Sequence, residues 1–479
     1  MELILKRLLE IMGEYRMDLS NLDKLSREEL LSGSFGIEWE SLRAHSTGEL
    51  CLTPHPEVFG DKFTNPIVTT DFSESQIEII TPTLDSVDEA FDTFSLLSDL
   101  VNVALPEDEY LWFQSIPCIL PYYDKIPIAQ YKGEEAAKSQ KYREELAKKY
   151  GVKKQMISGV HFNFSFKNET IEKLYSFTDK KLSFKEFKNE IYLKIARNYL
   201  RYCWLIIYLT GCSIGTHKTF ANECIHLMDA KDAFGSYYST KGPSFRNASC
   251  GYKNLKTLHP SYETVDEFTR DISNYIESGE LSEAKELYTQ IRLKPKNPSD
   301  LLNSLKEDGI EYIEIRTLDI NPFYKCGLTQ QDMKFLHLFL IYMLVKEESD
   351  YADWHKEAII NEERTAEKAY TDEMRLLKDG QEVTLKEWAL ELIDEMSEMI
   401  EELGIRDYQS LNIFLKRIEN SDLTYGKRLI KLIKRDGYIN AHTKLSINNK
   451  FTSKNIIKNV NLDEHEELKK YVALALKGL

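Results

Sequence analysis

Four short stretches concentrate side chains that could bind a hard cation. Residues 35–43 read Phe-Gly-Ile-Glu-Trp-Glu-Ser-Leu-Arg; in a strand, Glu38 and Glu40 share one face and Ile37 and Trp39 the other. In residues 69–82, Glu74, Gln76 and Glu78 alternate with Ile77 and Ile79, and Asp71 sits just upstream, where a turn can aim it at the same place. Residues 159–165 set His161, Asn163 and Ser165 against Val160, Phe162 and Phe164, and residues 312–316 set Glu314 and Arg316 against Ile313 and Ile315. Clustered carboxylates repel one another, and a divalent cation neutralises them. Oxygen ligands with one imidazole suit Mg²⁺ or Mn²⁺, whereas a structural zinc site would want suitably spaced thiolates. For any single strand the plain alternative is a half-exposed antiparallel sheet with ordinary polar residues outside. Four strands carrying Glu, Asp, His and Asn, with few Lys or Thr, favour the metal.

A magnesium site of this kind usually serves phosphates. Arg316 would lie beside the metal face, placed to stabilise a transferring phosphoryl group. Arg246 falls in the polar, loop-like stretch Gly242–Tyr252 and suits a carboxylate. Arg292 and Lys294 follow in residues 287–295; each of these cations could equally be a surface residue. The chain has no Walker A pattern and no GxGxxG, which disfavours a P-loop or Rossmann nucleotide site. Gly211-Cys-Ser-Ile-Gly215 matches the GxSxG nucleophile elbow in letters, but the segment before it reads as a long helix rather than a strand, so Ser213 lacks the context of a hydrolase nucleophile.

The elements that must hold these residues are legible in part. Ser26-Arg-Glu-Glu29 is a capping box for a short helix before Gly33. Ser86 opens a longer one, with Val87, Ala90, Phe91, Phe94, Leu97 and Val101 at helical spacing and Pro106 beyond its end. Residues 189–210 read as a buried helix, and Thr384 opens another whose stripe runs from Leu385 to Leu403, with Gly404 as the stop. Residues 330–479 otherwise read as charged helices without chemistry of their own, and 356–375 as solvated helix faces.

The 479 residues carry a net charge of −16, with 42% hydrophobic residues. That permits a large core and disfavours non-specific binding to nucleic acid or anionic membranes. Seven cysteines, odd in number and without CxxC, fit a reducing cytoplasm better than a disulfide framework. The opening MELILKRLLEIMGEY has no signal-peptide apolar core, and no apolar run reaches membrane-spanning length.

Taken together, these segments resemble the bacterial type of glutamate–cysteine ligase. The likeness is carried by residues 37–43, 69–82, 155–165 and 309–323, in that order, with weaker similarity at Tyr142-Arg143, the 197–209 helix and Arg246–Tyr252. It covers roughly the first 340 residues. It implies an α+β fold, with a glutamine-synthetase-like, mostly antiparallel sheet, a polar metal-binding face, helices on the other face and a helical C-terminal part. One domain over 1–479 is expected, with a sheet-bearing core at 1–340 and helices at 341–479. The family's metal ligands fall on Glu38, Glu40, Asp71, Glu78, His161 and Glu314, and its phosphate-facing arginine on Arg316, so Glu314 and Arg316 are expected nearest the chemistry. Its amino-acid pockets fall on Tyr142, Arg143, Gln155, Arg246, Tyr252 and Tyr288, with Asn163 near the nucleotide.

The implied activity is ATP- and Mg²⁺-dependent joining of glutamate to cysteine through an acyl phosphate, the first step of glutathione synthesis, in the cytoplasm. The implied partners are the small-molecule substrates glutamate, cysteine and ATP, without nucleic acid or membrane. The chain departs from the family at 210–214, where Thr-Gly-Cys-Ser-Ile replaces the common Phe-Gly-Ala-Ser-Pro, and between Tyr252 and Tyr288, which is short. Both changes leave room for a different amine acceptor. A non-catalytic relative is the other alternative, and the intact acidic set argues against it. The length also leads us to expect no fused ATP-grasp synthetase domain.

Overall fold

The computed structural model describes residues 21–131, 133–220, 224–405, 408–460, 469–470 and 472–473. The opening fifteen residues and much of the final segment, both read above from sequence, lie outside the described residues.

Alternation of apolar and polar side chains produces the strands the sequence suggests. They are β1 (Ser34–His45), β2 (Val68–Thr70), β3 (Gln76–Ile80), β4 (Glu109–Trp112) and β5 (Val160–Ser165). Three short strands, β6 (Gly215–His217), β7 (Ala230–Lys231) and β8 (Ser236–Tyr238), form a small sheet of their own. Then come β9 (Ile291–Lys294) and β10 (Tyr312–Leu318). Among the described residues, seven strands make the main sheet in the order β2-β3-β1-β5-β10-β9, with β4 pairing the far end of β1. Its pairings are antiparallel throughout.

The apolar face of this sheet is the heart of the core. Ile37, Trp39, Ile77, Ile79, Val160, Phe162, Phe164, Ile313 and Ile315 are all buried. Helices Val87–Ala104, Phe184–Thr210 and Gln330–Val345 cover them: Trp39 meets Phe94, Phe35 meets His337, and Tyr199 bonds Thr317. The long helix starts five residues before the expected Asn189, at Phe184, because Ser183 and Glu186 form a capping box there. Gln330–Val345 is buried on nearly all sides, since Phe335 stacks on Phe414 of a C-terminal helix, Tyr408–Glu419. One continuous apolar cluster therefore runs from Leu22 to Ile418.

The C-terminal part is mainly helical, as expected, and also contains a hairpin, β11 (Arg375–Lys378) with β12 (Gln381–Thr384). Two expectations need correction. Residues 356–375 are not simply a solvated face. Glu357 accepts the amides of Asp379 and Gly380, and Glu362 pairs with Lys253, so both carboxylates are buried. Cys224 and Cys250 form a disulfide, with Cα atoms 5.8 Å apart. Tertiary folding brings these two together across 26 residues, and their spacing alone carries no such signal. The other five cysteines are buried and free.

Candidate active site

The opposite face of the main sheet floors a polar cleft of about 250 Å³. Register explains how distant residues converge. Glu40 lies opposite Glu78, Glu38 opposite His161, and Glu314 opposite both Asn163 and Arg292. Asp71 reaches the same space from the turn between β2 and β3. Arg143 holds that turn by donating to the carbonyls of Asp71 (2.5 Å) and Thr70 (3.4 Å). Arg143 and Tyr142 come from helix Glu134–Tyr150, which forms the opposite wall with Gln155, Tyr252 and Tyr288.

Two expected site residues stand slightly apart. Asn163 is a neighbour of the cleft rather than part of its lining; it donates to Glu38 Oε1 at 2.9 Å. Arg246 lines a second cavity of about 180 Å³, which shares Tyr252, Tyr288 and Arg316 with the first. His355, Ile359, Glu362 and Glu363 of helix Trp354–Lys368 also line that second cavity, so the C-terminal half reaches the site after all. Glu74 leaves the set. It accepts the amides of His55 and Gln130 and pairs with Lys62, because β3 begins only at Gln76 and the preceding turn breaks the alternation.

Glu38, His161 and Glu314 offer ligand atoms that all lie within 4.8 Å of one another. His161 Nδ1 is 3.1 Å from Glu38 Oε2, and its buried Nε2 makes no hydrogen bond, facing Glu40 Oε1 at 3.6 Å. Burial, then the charge of Arg316, pulls the imidazole down to about 4, so it is neutral with a lone pair to offer. The donor set fits a hard divalent cation.

The carboxylates divide electrostatically. Burial, then the charge of Asp71, pushes Glu40 up to about 8. Burial also raises Asp71, and burial with three neighbouring acids raises Glu78 well above the carboxylate range. Burial alone would raise Glu314 too, but Lys294, Arg316 and Arg292 outweigh it and hold the group well below its ordinary range. Arg316 Nη1 donates to Glu314 at 2.7 Å, Arg292 stands 3.6 Å away, and Lys294 closes on the other oxygen. For Glu38, burial and Glu314 push upward, but the His161 hydrogen bond and Lys294 win and lower it. The cleft thus has an acidic side on β1 and β3 and a basic side on β9 and β10.

Sequence reasoning undervalued Lys294 and Arg292, which it weighed as possible surface cations, and missed Lys285, whose ammonium lies 3.8 Å from the centre of the Tyr142 ring. Alternation in 291–294 was the available signal for Arg292 and Lys294; nothing local marks Lys285. Ser213 is fully buried and donates to Asp319, which rules it out as an exposed nucleophile. The departing residues Cys212 and Ile214 are buried behind the cleft and line neither cavity.

One face of an antiparallel sheet thus carries carboxylates on β1 and β3 beside arginines and lysines on β9 and β10, a charged cleft that defines the class of the protein. The family model described as glutamate-cysteine ligase matches residues 19–281 and 275–366, and the chain belongs to that family. It is 40% identical over 430 residues to the glutathione biosynthesis bifunctional protein GshAB of Clostridium perfringens, covering 88% of this chain and 55% of that protein. The corresponding protein of Listeria monocytogenes (strain F2365) is 38% identical over 435 residues, covering 89% of this chain and 55% of its own length. The chain thus spans about half the length of these curated relatives. Among solved structures, the glutamate–cysteine ligase of Francisella tularensis in complex with AMP superposes with a TM-score of 0.84 at 26% identity, covering 94% of this chain and 93% of that one. A bifunctional glutathione synthetase from Pasteurella multocida gives 0.83 at 26% identity, covering 96% and 58%.

Proposed function

We propose that this chain joins the γ-carboxylate of glutamate to the amine of cysteine at the expense of ATP, giving γ-glutamylcysteine for glutathione synthesis. The observation that carries this reading is the convergence of Glu38, Glu40, Asp71, Glu78, His161 and Glu314 in one cleft with Arg316, in a chain of this family. Those six residues would hold magnesium or manganese, which when bound neutralises polyphosphate and lets two anions approach.

Amide formation in water is uphill, so the carboxylate must first be activated. The γ-carboxylate of glutamate attacks the γ-phosphorus of ATP and forms an acyl phosphate, with ADP leaving. Arg316, fixed by Glu314, sits where it can stabilise charge on the phosphoryl oxygens. The amine of cysteine then attacks the acyl carbon and expels phosphate. Tyr142, Arg143, Gln155, Arg246, Tyr252 and Tyr288 supply the amino-acid pockets. The rings of Tyr252 and Tyr288 lie 4.4 Å apart, and Tyr252 donates to Gln155 at 3.3 Å, so the three side chains of this wall touch one another. Asn163 acts on the nucleotide side through Glu38. We assign the whole chain to one catalytic unit, with residues 341–479 buttressing the sheet-bearing part. The reaction belongs in the cytoplasm, where ATP and glutamate are abundant; among the described residues no helix is long and apolar enough to cross a membrane.

Phosphate release in ATP, Mg²⁺ and glutamate tests the reading. Cysteine is expected to start turnover, and 2-aminobutyrate, which carries a methyl group in place of the thiol, to support it more weakly. Phosphate release that requires some other amine and ignores cysteine would overturn the acceptor. Release without glutamate would overturn the reaction.

A further inference from the structure

The GxSxG stretch has no nucleophile, yet its serine sits at the centre of a buried network that the reaction above does not use. Asp319 follows β10, three residues beyond Arg316, and is almost wholly buried. One of its oxygens, Oδ2, accepts three donors from the turn after helix Phe184–Thr210: the amides of Cys212 (2.9 Å) and Ser213 (2.9 Å) and the Ser213 hydroxyl (2.8 Å). The same hydroxyl oxygen accepts the backbone N–H of Arg246 at 3.1 Å. Phe245 N–H donates to the Ser213 carbonyl at 2.6 Å, and Asn247 donates to the Thr317 carbonyl at 3.0 Å. The loop bearing Arg246 is therefore tied to β10 through Asn247 and, through Ser213, to Asp319 just beyond that strand.

The guanidinium of Arg246 is equally constrained. Its Nη1 donates to the Arg316 carbonyl at 2.6 Å. It also lies flat on Gly159, where an added Cβ would come within 2.3 Å of Nη2. Asp319 Oδ1 is buried and makes no hydrogen bond. Burial pushes the Asp319 carboxyl up and the Arg246 guanidinium down, and each is the largest charge opposing that shift in the other. One carboxylate thus anchors the turn and supplies a counter-charge.

We propose that Asp319 and Ser213 are positioning residues that fix Arg246 to receive the carboxylate of the amine substrate. The assignment of that carboxylate to Arg246 rests on the function proposed above; the positioning itself rests on the hydrogen bonds. An asparagine at 319 would keep an oxygen on the three donors but would put an NH₂ group where Oδ1 now lies and remove the counter-charge to Arg246, and an alanine at 213 would leave the Arg246 amide without its partner. Small displacements of such a group are costly, on the order of 10²-fold per ångström in unfavourable cases. Cys212 and Ile214, on either side of Ser213, are buried in the core, and of this turn the Ser213 hydroxyl is what bonds Arg246.

The test is a double-mutant cycle on the full chain. Ser213→Ala is expected to raise KM for cysteine about tenfold, with KM for ATP and glutamate and kcat at saturating cysteine little changed. Combined with Arg246→Ala it should cost no more than Arg246→Ala alone, because the serine acts through the arginine. Additive losses, or equal rises in all three KM values, would overturn the proposal. Asp319→Asn should reproduce the cysteine-specific rise, and Ser213→Ala keeps the test open if that variant fails to fold. Hydrogen–deuterium exchange of the ligand-free protein separates this idea from the substrate assignment. Faster exchange over residues 244–247 in Ser213→Ala, with the main sheet unchanged, upholds the positioning even if cysteine proves to be the wrong amine. Unchanged exchange sinks it even if cysteine is the right one.

Discussion

Residue by residue, the acids of the cleft behave oppositely when removed. Glu314 balances three cations, so Glu314→Gln leaves them facing one another without a counter-charge. We expect a loss of about 3 kcal/mol in stability, the scale for breaking a buried ion pair, together with lost turnover. Glu40 and Glu78 are crowded by other acids, so Glu40→Gln should abolish turnover while the metal-free protein melts no lower than the parent. Thermal melting without divalent cations separates the two outcomes. The pH dependence has a definite sign. Glu40 moves from 4.5 in a free carboxyl to about 8 in the folded protein, so folding favours its protonated form. Its contribution to stability is present below about pH 4.5 and is lost as the pH climbs through 8. Added Mg²⁺ should therefore raise the melting temperature more at pH 8 than at pH 6, and its uptake should release protons, measurable by calorimetry in buffers of different ionisation enthalpy.

For the elements, alternation did most of the work. Glu38, Glu40, Glu78, His161 and Glu314 were legible because each lies on a strand whose apolar partners all enter the core, so the facing of the polar set follows from the facing of the isoleucines. Glu74 was misread where the strand gives way to a turn, since period two holds only within the ladder. The hairpin at 375–384 and the buried acids Glu357 and Glu362 were hidden for another reason: a charged residue looks the same in sequence whether it meets water or an amide two elements away. Lys285 and Asp319 gave no local sign at all, because their roles exist only across long separations. The sheet also has a place where backbone proximity does the positioning. At Gly159 the guanidinium of Arg246 occupies the volume of a side chain. Gly159→Ala should displace it and raise KM for the amine at least tenfold, on the order of 1.4 kcal/mol. An unchanged far-ultraviolet spectrum would show that the strand survives.

Across the whole molecule, the apolar cluster running from Leu22 to Ile418 ties the sheet to the C-terminal helices through the nearly fully buried helix Gln330–Val345. Cutting the chain just after that helix, beyond Val345, would expose it on one flank, so we expect the shorter piece to aggregate and the full chain to melt in a single calorimetric transition; two resolved transitions would divide it into independent units. The resemblance made the first 340 residues informative, while the remainder was readable as helix but not as a wall of the second cavity. The lining of the main cleft has a further consequence. Among the described residues, it counts five acids, Glu38, Glu40, Asp71, Glu78 and Glu314, and five bases, Arg143, Lys285, Arg292, Lys294 and Arg316. The formal charges match, but Glu40, Asp71 and Glu78 are pushed toward their protonated forms, so a cation must draw their protons off as it binds and then adds its own charge to the side that faces a nucleotide. Nucleotide and cation should consequently load synergistically, each tightening the grip on the other, and that reciprocity would keep the protein from squandering ATP when one of them is scarce.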